Sequence, residues 1–155
     1  METFTSFAKT IWITDDDPDD LLFFQDALKE IYPSADLTTL SSGDELINKL
    51  STLPAPDLLF LDINMPLKTG HDCIKEIRSK NNFRSLPIVI YSSSLNPLDV
   101  TYSYGFGANL YLRKPTNYRD IVLLLRKVLR LDWNNPQEIT NRMFVGENYV
   151  PFTAP

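Results

Sequence analysis

Five short apolar or β-branched runs, each followed by a longer segment with helical spacing, set what this chain can fold into. Thr10-Ile11-Trp12-Ile13-Thr14 is rich in β-branched and aromatic residues and is stopped by an acidic cluster. Leu58-Leu59-Phe60-Leu61 is apolar at every position, the pattern of a strand covered on both faces. Pro87 to Tyr91 repeats that pattern, Ala108 to Leu112 makes a fifth strand, and Asp36 to Leu40 reads as a weaker second one. Between them, Pro18 opens a helix with Leu21, Phe24, Leu28 and Ile31 on one face, and Pro33 ends it. Ser42-Gly43-Asp44-Glu45 has the form of a capping box ahead of Leu46, Ile47 and Leu50. Thr69 or Gly70 starts a third helix carrying Ile74 and Ile77 inward. A short fourth helix runs from Asn96-Pro97 to near Gly105, and Asn117 caps a fifth bearing Ile121, Leu124, Leu125 and Val128. Strand and helix alternate throughout, so the expected architecture is α/β: a doubly wound five-stranded parallel sheet with helices on both faces.

The chain has 155 residues, enough for one domain with a real core and short for two. Its hydrophobic fraction of 43% and charged fraction of 23% are those of an ordinary globular protein. No apolar run approaches the length of a membrane span, and Met1 to Lys9 lacks the basic and apolar regions of a signal peptide. Cys73 is alone, which rules out an internal disulfide and fits a reducing cytoplasm. A net charge of −5 with no basic stripe argues against direct nucleic-acid binding.

In an open parallel sheet the ligand crevice lies beyond the carboxyl ends of the strands, where strand order reverses. Strand one ends in Asp15-Asp16, strand three in Asp62, strand four in Ser92 and strand five in Lys114. Carboxylates converging at one rim repel each other unless a hard divalent cation compensates, and Mg²⁺ prefers such oxygen ligands. Lys114 adds a point charge suited to a phosphoryl oxygen, and Ser92 offers a hydroxyl donor. A carboxylate nucleophile flanked by a metal, an ammonium and a hydroxyl is a phosphoryl-transfer site, where catalysis is mostly positioning and charge neutralisation. Each piece has a plainer reading: acidic stretches such as Asp15 to Asp20 are common at helix N-termini, a strand-end Asp is commonly a cap, and Lys114-Pro115 fits any loop. Their joint occurrence at successive strand ends makes the plain readings poor.

Asp15-Asp16 after an apolar strand, Asp62-Ile63-Asn64-Met65-Pro66 with Gly70 following, Ser92-Ser93, and Gly107-Ala108 leading to Tyr111 and Lys114-Pro115 together resemble the signature of response-regulator receiver domains. The likeness spans roughly Thr10 to Leu131 and is closest in kind to single-domain regulators of the chemotaxis and phytochrome-partner types. It implies a flavodoxin-like fold with strand order 2-1-3-4-5. It implies that Asp62 is the phosphoacceptor, that Asp16, Asp62 and the backbone carbonyl of Asn64 hold Mg²⁺ with Asp15 assisting through water, and that Ser92 and Lys114 contact the phosphoryl oxygens. Tyr111 matches the switch aromatic that turns inward as Ser92 moves, and Lys114-Pro115 the cis peptide that aims the lysine. Asp17 could stand in for Asp16 in the acidic run, although a strand ending at Thr14 favours Asp16. The implied partner is a sensor histidine kinase or histidine phosphotransfer protein, with output through the face of the fourth helix, fifth strand and fifth helix. A homodimer is compatible with this; nucleic acid and membrane partners are not expected, and the implied location is cytoplasmic.

Three other readings fare worse. An EF-hand would use Asp15, Asp17 and Asp19, but its sixth position is Asp20 instead of Gly and its twelfth Asp26 instead of Glu. A haloacid-dehalogenase-type phosphatase resembles its relatives in a second acid two residues after the nucleophile, where this chain has Asn64. An inert receiver would have lost some of the phosphorylation residues, and all are here. The expected organisation is an extension over 1–9, a receiver domain over 10–131 and a tail over 132–155, with no output domain. His71 reads as solvated surface and Cys73 as a small filler. The tail should be folded, because Trp133, Phe144, Val145, Tyr149 and Phe152 are too apolar for a solvated leash, with a short helix from about Pro136 to Arg142 and an irregular end.

Overall fold

The structure, a computed structural model, describes residues 8–153. The expected extension over 1–9 therefore lies outside the described residues except for Ala8 and Lys9, and the last two residues of the tail do as well. Five parallel strands, β1 (Thr10–Thr14), β2 (Asp36–Leu40), β3 (Leu58–Leu61), β4 (Ile88–Ser92) and β5 (Leu110–Arg113), lie in the order β2-β1-β3-β4-β5. Helices α1 (Pro18–Ile31), α2 (Gly43–Thr52), α3 (Gly70–Arg78), α4 (Pro97–Phe106) and α5 (Tyr118–Leu129) cover both faces, so the doubly wound, flavodoxin-like architecture is present. No helix among the described residues is long and apolar enough to cross a membrane.

The apolar runs are buried for the reason the sequence suggested: each strand feeds two cores at once. Ile11 and Ile13 of β1 point into one cluster with Phe24, Leu28, Phe60, Tyr91, Leu125 and Val128, beneath α1 and α5. Trp12, between them, points to the other with Leu46, Leu59, Ile74, Ile77, Ile90 and Tyr104, beneath α2, α3 and α4. Phe24 stands edge-on to both Phe60 and Tyr91, with ring centroids at 4.8 and 5.7 Å. Fully burying side chains of this kind contributes roughly 1.5–3 kcal/mol each before ordering costs.

Side-chain caps set the helix starts. Asp17 accepts from the Asp19 N–H to open α1, Ser42 from Glu45 to open α2, and Asn117 from Asp120 to open α5. Thr69 and Asp72 form a reciprocal capping box at α3. The fourth helix runs past Gly105 to Phe106. Its left-handed terminator is Gly107, whose φ of 118° L side chains rarely adopt. Arg78 secures that end, its guanidinium donating twice to the Gly107 carbonyl and once to Asn109 Oδ1.

His71 is a departure from expectation. It is half-buried, Nε2 lies 2.9 Å from Ser103 Oγ, and its ring stands edge-on to Phe106. The Ser103 hydroxyl proton is already donated to the Asp99 carbonyl, so the imidazole carries its proton on Nε2 and donates to Ser103. His71 thus ties α3 to α4 and is not a solvated surface residue.

The tail folds back onto the domain. Helix α6 (Pro136–Arg142) is followed by a short hairpin of β6 (Phe144–Val145) and β7 (Asn148–Tyr149), and beyond it 150–153 are irregular, as the sequence suggested for the end of the chain. Trp133 is buried with its indole N–H donating to the Val128 carbonyl, so it seals the end of α5. The hairpin reaches across to α4: Tyr149 stacks on Tyr104 at 4.7 Å. The Tyr104 hydroxyl donates to the Val150 carbonyl and accepts the Tyr111 N–H. Phe152 N–H then donates to the Tyr111 carbonyl on the outer edge of β5, occupying a group that an edge strand would otherwise expose.

Candidate functional site

Strand pairing alone brings the acids together. β1 and β3 are neighbours at the point where strand order reverses, and the Asp62 N–H donates to the Thr14 carbonyl at 3.0 Å. Asp15 and Asp62 therefore leave adjacent strands side by side, both buried. β4 and β5 do the same one strand further on, where Lys114 N–H donates to the Ser92 carbonyl at 2.8 Å. Gly70 lets the next helix begin against this rim. A Cβ there would sit 2.2 Å from the Asp62 carbonyl oxygen and 2.8 Å from Ile63 Cα, both backbone atoms that cannot yield.

One carboxylate oxygen each from Asp15, Asp16 and Asp62 lies within 4.8 Å of the others. Asp17, the alternative to Asp16, is spent on capping α1 through its Oδ1. Lys114 Nζ lies 2.7 Å from Asp15 Oδ2, 2.8 Å from Asp20 Oδ2 and 3.6 Å from Asp62 Oδ1. Its contact with Asp15 is an ion pair without good hydrogen-bond geometry, so Asp15 Oδ2 is a buried oxygen with unused accepting capacity, as is Thr14 Oγ1 nearby in sequence. A hard cation takes oxygen donors of this kind, and the three-carboxylate set fits one.

The electrostatics follow from burial and crowding. Asp62 is pushed up to about 7, chiefly by burial and then by the Asp15 charge, against the pull of Lys114. Burial likewise raises Asp15 above the ordinary carboxylate range, partly offset by Lys114. Burial alone would lower Lys114, but the close Asp15 carboxylate, the hydrogen bond to Asp20 and the charge of Asp62 outweigh that and keep it protonated. Burial and like charge thus favour the neutral form of Asp62, and a cation held by these oxygens would favour the carboxylate.

Ser92, at the end of β4, is buried, and its Oγ accepts the Ser94 N–H at 3.2 Å. Tyr111 is buried in this structure, with its hydroxyl donating to the Ser94 carbonyl at 2.9 Å, so the ring is already turned inward. Asn64 stands exposed in the loop two residues beyond Asp62. The cis peptide expected before Pro115 is absent: every peptide among the described residues is trans. Trans is the preferred X-Pro isomer by roughly 0.5–1 kcal/mol, and Lys114 reaches Asp15 and Asp20 without the other isomer. Asp20 is the site residue that the sequence did not single out. It looked like one more acid in the first turn of α1, and only the fold brings it opposite Lys114.

This fold and this acidic rim define a class, and the chain belongs to it: the response regulator receiver domain family matches residues 11–126. Among individual proteins, response regulator Rcp1 of Synechocystis sp. is 28% identical over 126 residues, 77% of this chain and 86% of that protein. A structure of the Mn(2+)-bound form of Rcp1 superposes with a TM-score of 0.73 at 28% identity, covering 80% of this chain and 96% of the other. The phosphorylated cyanobacterial phytochrome response regulator RcpA gives the same TM-score and identity, covering 78% and 91%. Transcriptional regulatory protein CpxR of Klebsiella pneumoniae is 36% identical over 85 residues, 54% of this chain but 35% of that longer protein.

Proposed function

We propose that this protein is a phosphoacceptor in two-component signalling, taking a phosphoryl group on Asp62 from a sensor histidine kinase or a histidine phosphotransfer protein. The observation that carries the reading is the setting of Asp62: buried at the end of β3, within reach of two further carboxylates and 3.6 Å from a lysine. Asp16, Asp62 and the Asn64 carbonyl, with Asp15 assisting, would hold Mg²⁺, which when bound offsets the charge of the carboxylates and the incoming phosphoryl oxygens. The Asp62 carboxylate attacks phosphorus, the bond to the donor nitrogen breaks, and the leaving imidazole takes up a proton. Lys114 and the Ser92 hydroxyl bind two of the transferred oxygens. The manganese-bound and phosphorylated relatives support both parts of this reading. Asn64 stands where a turnover phosphatase of similar chemistry would need a second acid, so the protein holds its phosphoryl group and is not a turnover enzyme.

Output runs through protein contacts of the face formed by α4, β5 and α5. In this chain the tail hairpin belongs to that face, since Tyr149 and Phe152 dock beside Tyr104 and Tyr111. Ser92, drawn toward the phosphoryl group, and Tyr111 beneath the hairpin would couple site to face, each biasing a two-state equilibrium only through its differential contacts. Incubation with a small acyl phosphate and Mg²⁺ should add one phosphoryl group by intact mass. The addition should disappear with a chelator and in Asp62→Asn. Equal labelling of the Asn variant would overturn the assignment.

A further inference from the structure

The strongest feature left over by this function is the carboxylate on the far side of Lys114. Asp20 lies in the first turn of α1, where an acid is ordinarily solvated and favoured by the helix dipole. Here its side chain is one-third exposed and binds the ammonium of a lysine whose side chain is only 12% exposed, at 2.8 Å with hydrogen-bond geometry. It is not one of the three carboxylates that cluster as cation donors. An ammonium has three N–H groups, and in this structure Asp15 and Asp20 take the two short contacts while Asp62, at 3.6 Å, has the long one.

A phosphoryl group on Asp62 therefore meets a lysine already held toward α1. We infer that Asp20 is a positioning residue that keeps Lys114 on the α1 side of the resting site, so that an anion arriving at Asp62 must compete with it for the cation. The inference rests on Asp62 being the phosphoacceptor. Two things follow from charge alone. Removing the Asp20 carboxylate leaves the lysine with one short carboxylate contact, to Asp15, instead of two, and it lowers the negative charge that the anion must approach. Asparagine removes the charge while keeping the size and an oxygen acceptor; glutamate keeps the charge.

The test uses the full chain and beryllium fluoride with Mg²⁺, in which a trifluoroberyllate takes an Asp62 oxygen as its fourth ligand in place of water and so imitates the phosphoryl group. Titration calorimetry gives the affinity, and thermal melts establish that each variant folds cooperatively. Asp20→Asn and Asp20→Ser should bind the mimic more tightly than wild type, by roughly 3- to 10-fold for the loss of one nearby charge, and Asp20→Glu should restore the wild-type affinity. A gain of affinity is not something a merely structural lesion produces. If wild type binds the mimic in a Mg²⁺-dependent, Asp62-dependent way and both neutral variants bind it equally or more weakly, the role of Asp20 is overturned. If wild type shows no such binding, or Asp62→Asn binds as well, the phosphoacceptor reading itself fails, and the inference goes with it.

Discussion

Asp62 sits where a bare carboxylate is uncomfortable, and that discomfort is measurable. Its folded value, about 7, lies above its ordinary value near 3.8, because of burial first and the Asp15 charge second. The native state therefore holds this proton more tightly than the unfolded chain does. The associated stability is fully present below the unfolded value and is lost as pH rises from about 4 through about 7. Asp62→Asn removes the penalty, so in metal-free protein at about pH 8 it should stabilise the fold by roughly 1–3 kcal/mol, several degrees in melting temperature. The gain should fade toward about pH 4, and melts across that range in chelator read both. A variant no more stable than wild type at about pH 8 would contradict the account of the site. Gly70→Ala should do the reverse and cost at least roughly 2 kcal/mol, because the added Cβ meets the backbone of Asp62 and Ile63; an unchanged melt would count against that close approach. Asp15, Asp62, Ser92 and Lys114 were legible as strand-end residues, since a parallel sheet aims its strand ends at one rim. Asp20 was not, because a run of acids before a helix looks the same whether it is solvated or paired with a lysine 94 residues away.

At the level of elements, the strands and helices were readable wherever one period dominated. The continuous apolar run at Leu58–Leu61 became a fully buried central strand, and the stripe on α5 became the base of one core. The tail hairpin leaves little trace in the sequence, although Gly146, with φ of 65°, opens a two-residue connection between Phe144-Val145 and Asn148-Tyr149. Its two-residue strands are too short for alternation to show. The Asn135 side chain donates to Asp132 and does not cap α6, so the helix starts from the proline and a backbone bond to the Asn135 carbonyl. The packing of Trp133, Ile139 and Tyr149 gives the tail a share of the domain's stability. Truncation after Leu131 should lower the melting temperature, and Trp133→Ala alone should cost about 3–5 kcal/mol. A truncated protein that melts with the full chain would show that these contacts contribute nothing.

For the whole molecule, the alternation of strand and helix fixed a parallel two-faced sheet, and the resemblance supplied the order in which the strands lie. Neither pointed to the tail as part of the α4-β5-α5 face. That depends on Tyr104 serving both Tyr111 and Val150 through one hydroxyl, a contact between residues 46 apart. Because of it, a change at Tyr111 should not stop at β5. Nuclear magnetic resonance with and without trifluoroberyllate should show shifts on α4, β5, α5 and the hairpin around Tyr149, and shifts confined to the rim around Asp62 would count against coupling. All of this hangs on whether Asp62 takes a phosphoryl group. The most direct measurement is to label the full chain with a small acyl phosphate and Mg²⁺, reduce it with borohydride so that a phosphorylated aspartate becomes a primary alcohol, and map the product by peptide mass. The account requires the reduced residue to be at position 62, and to be lost when Mg²⁺ is chelated. Reduction at Asp15, Asp16 or Asp20, or none at any aspartate of a protein that carries label, would contradict it.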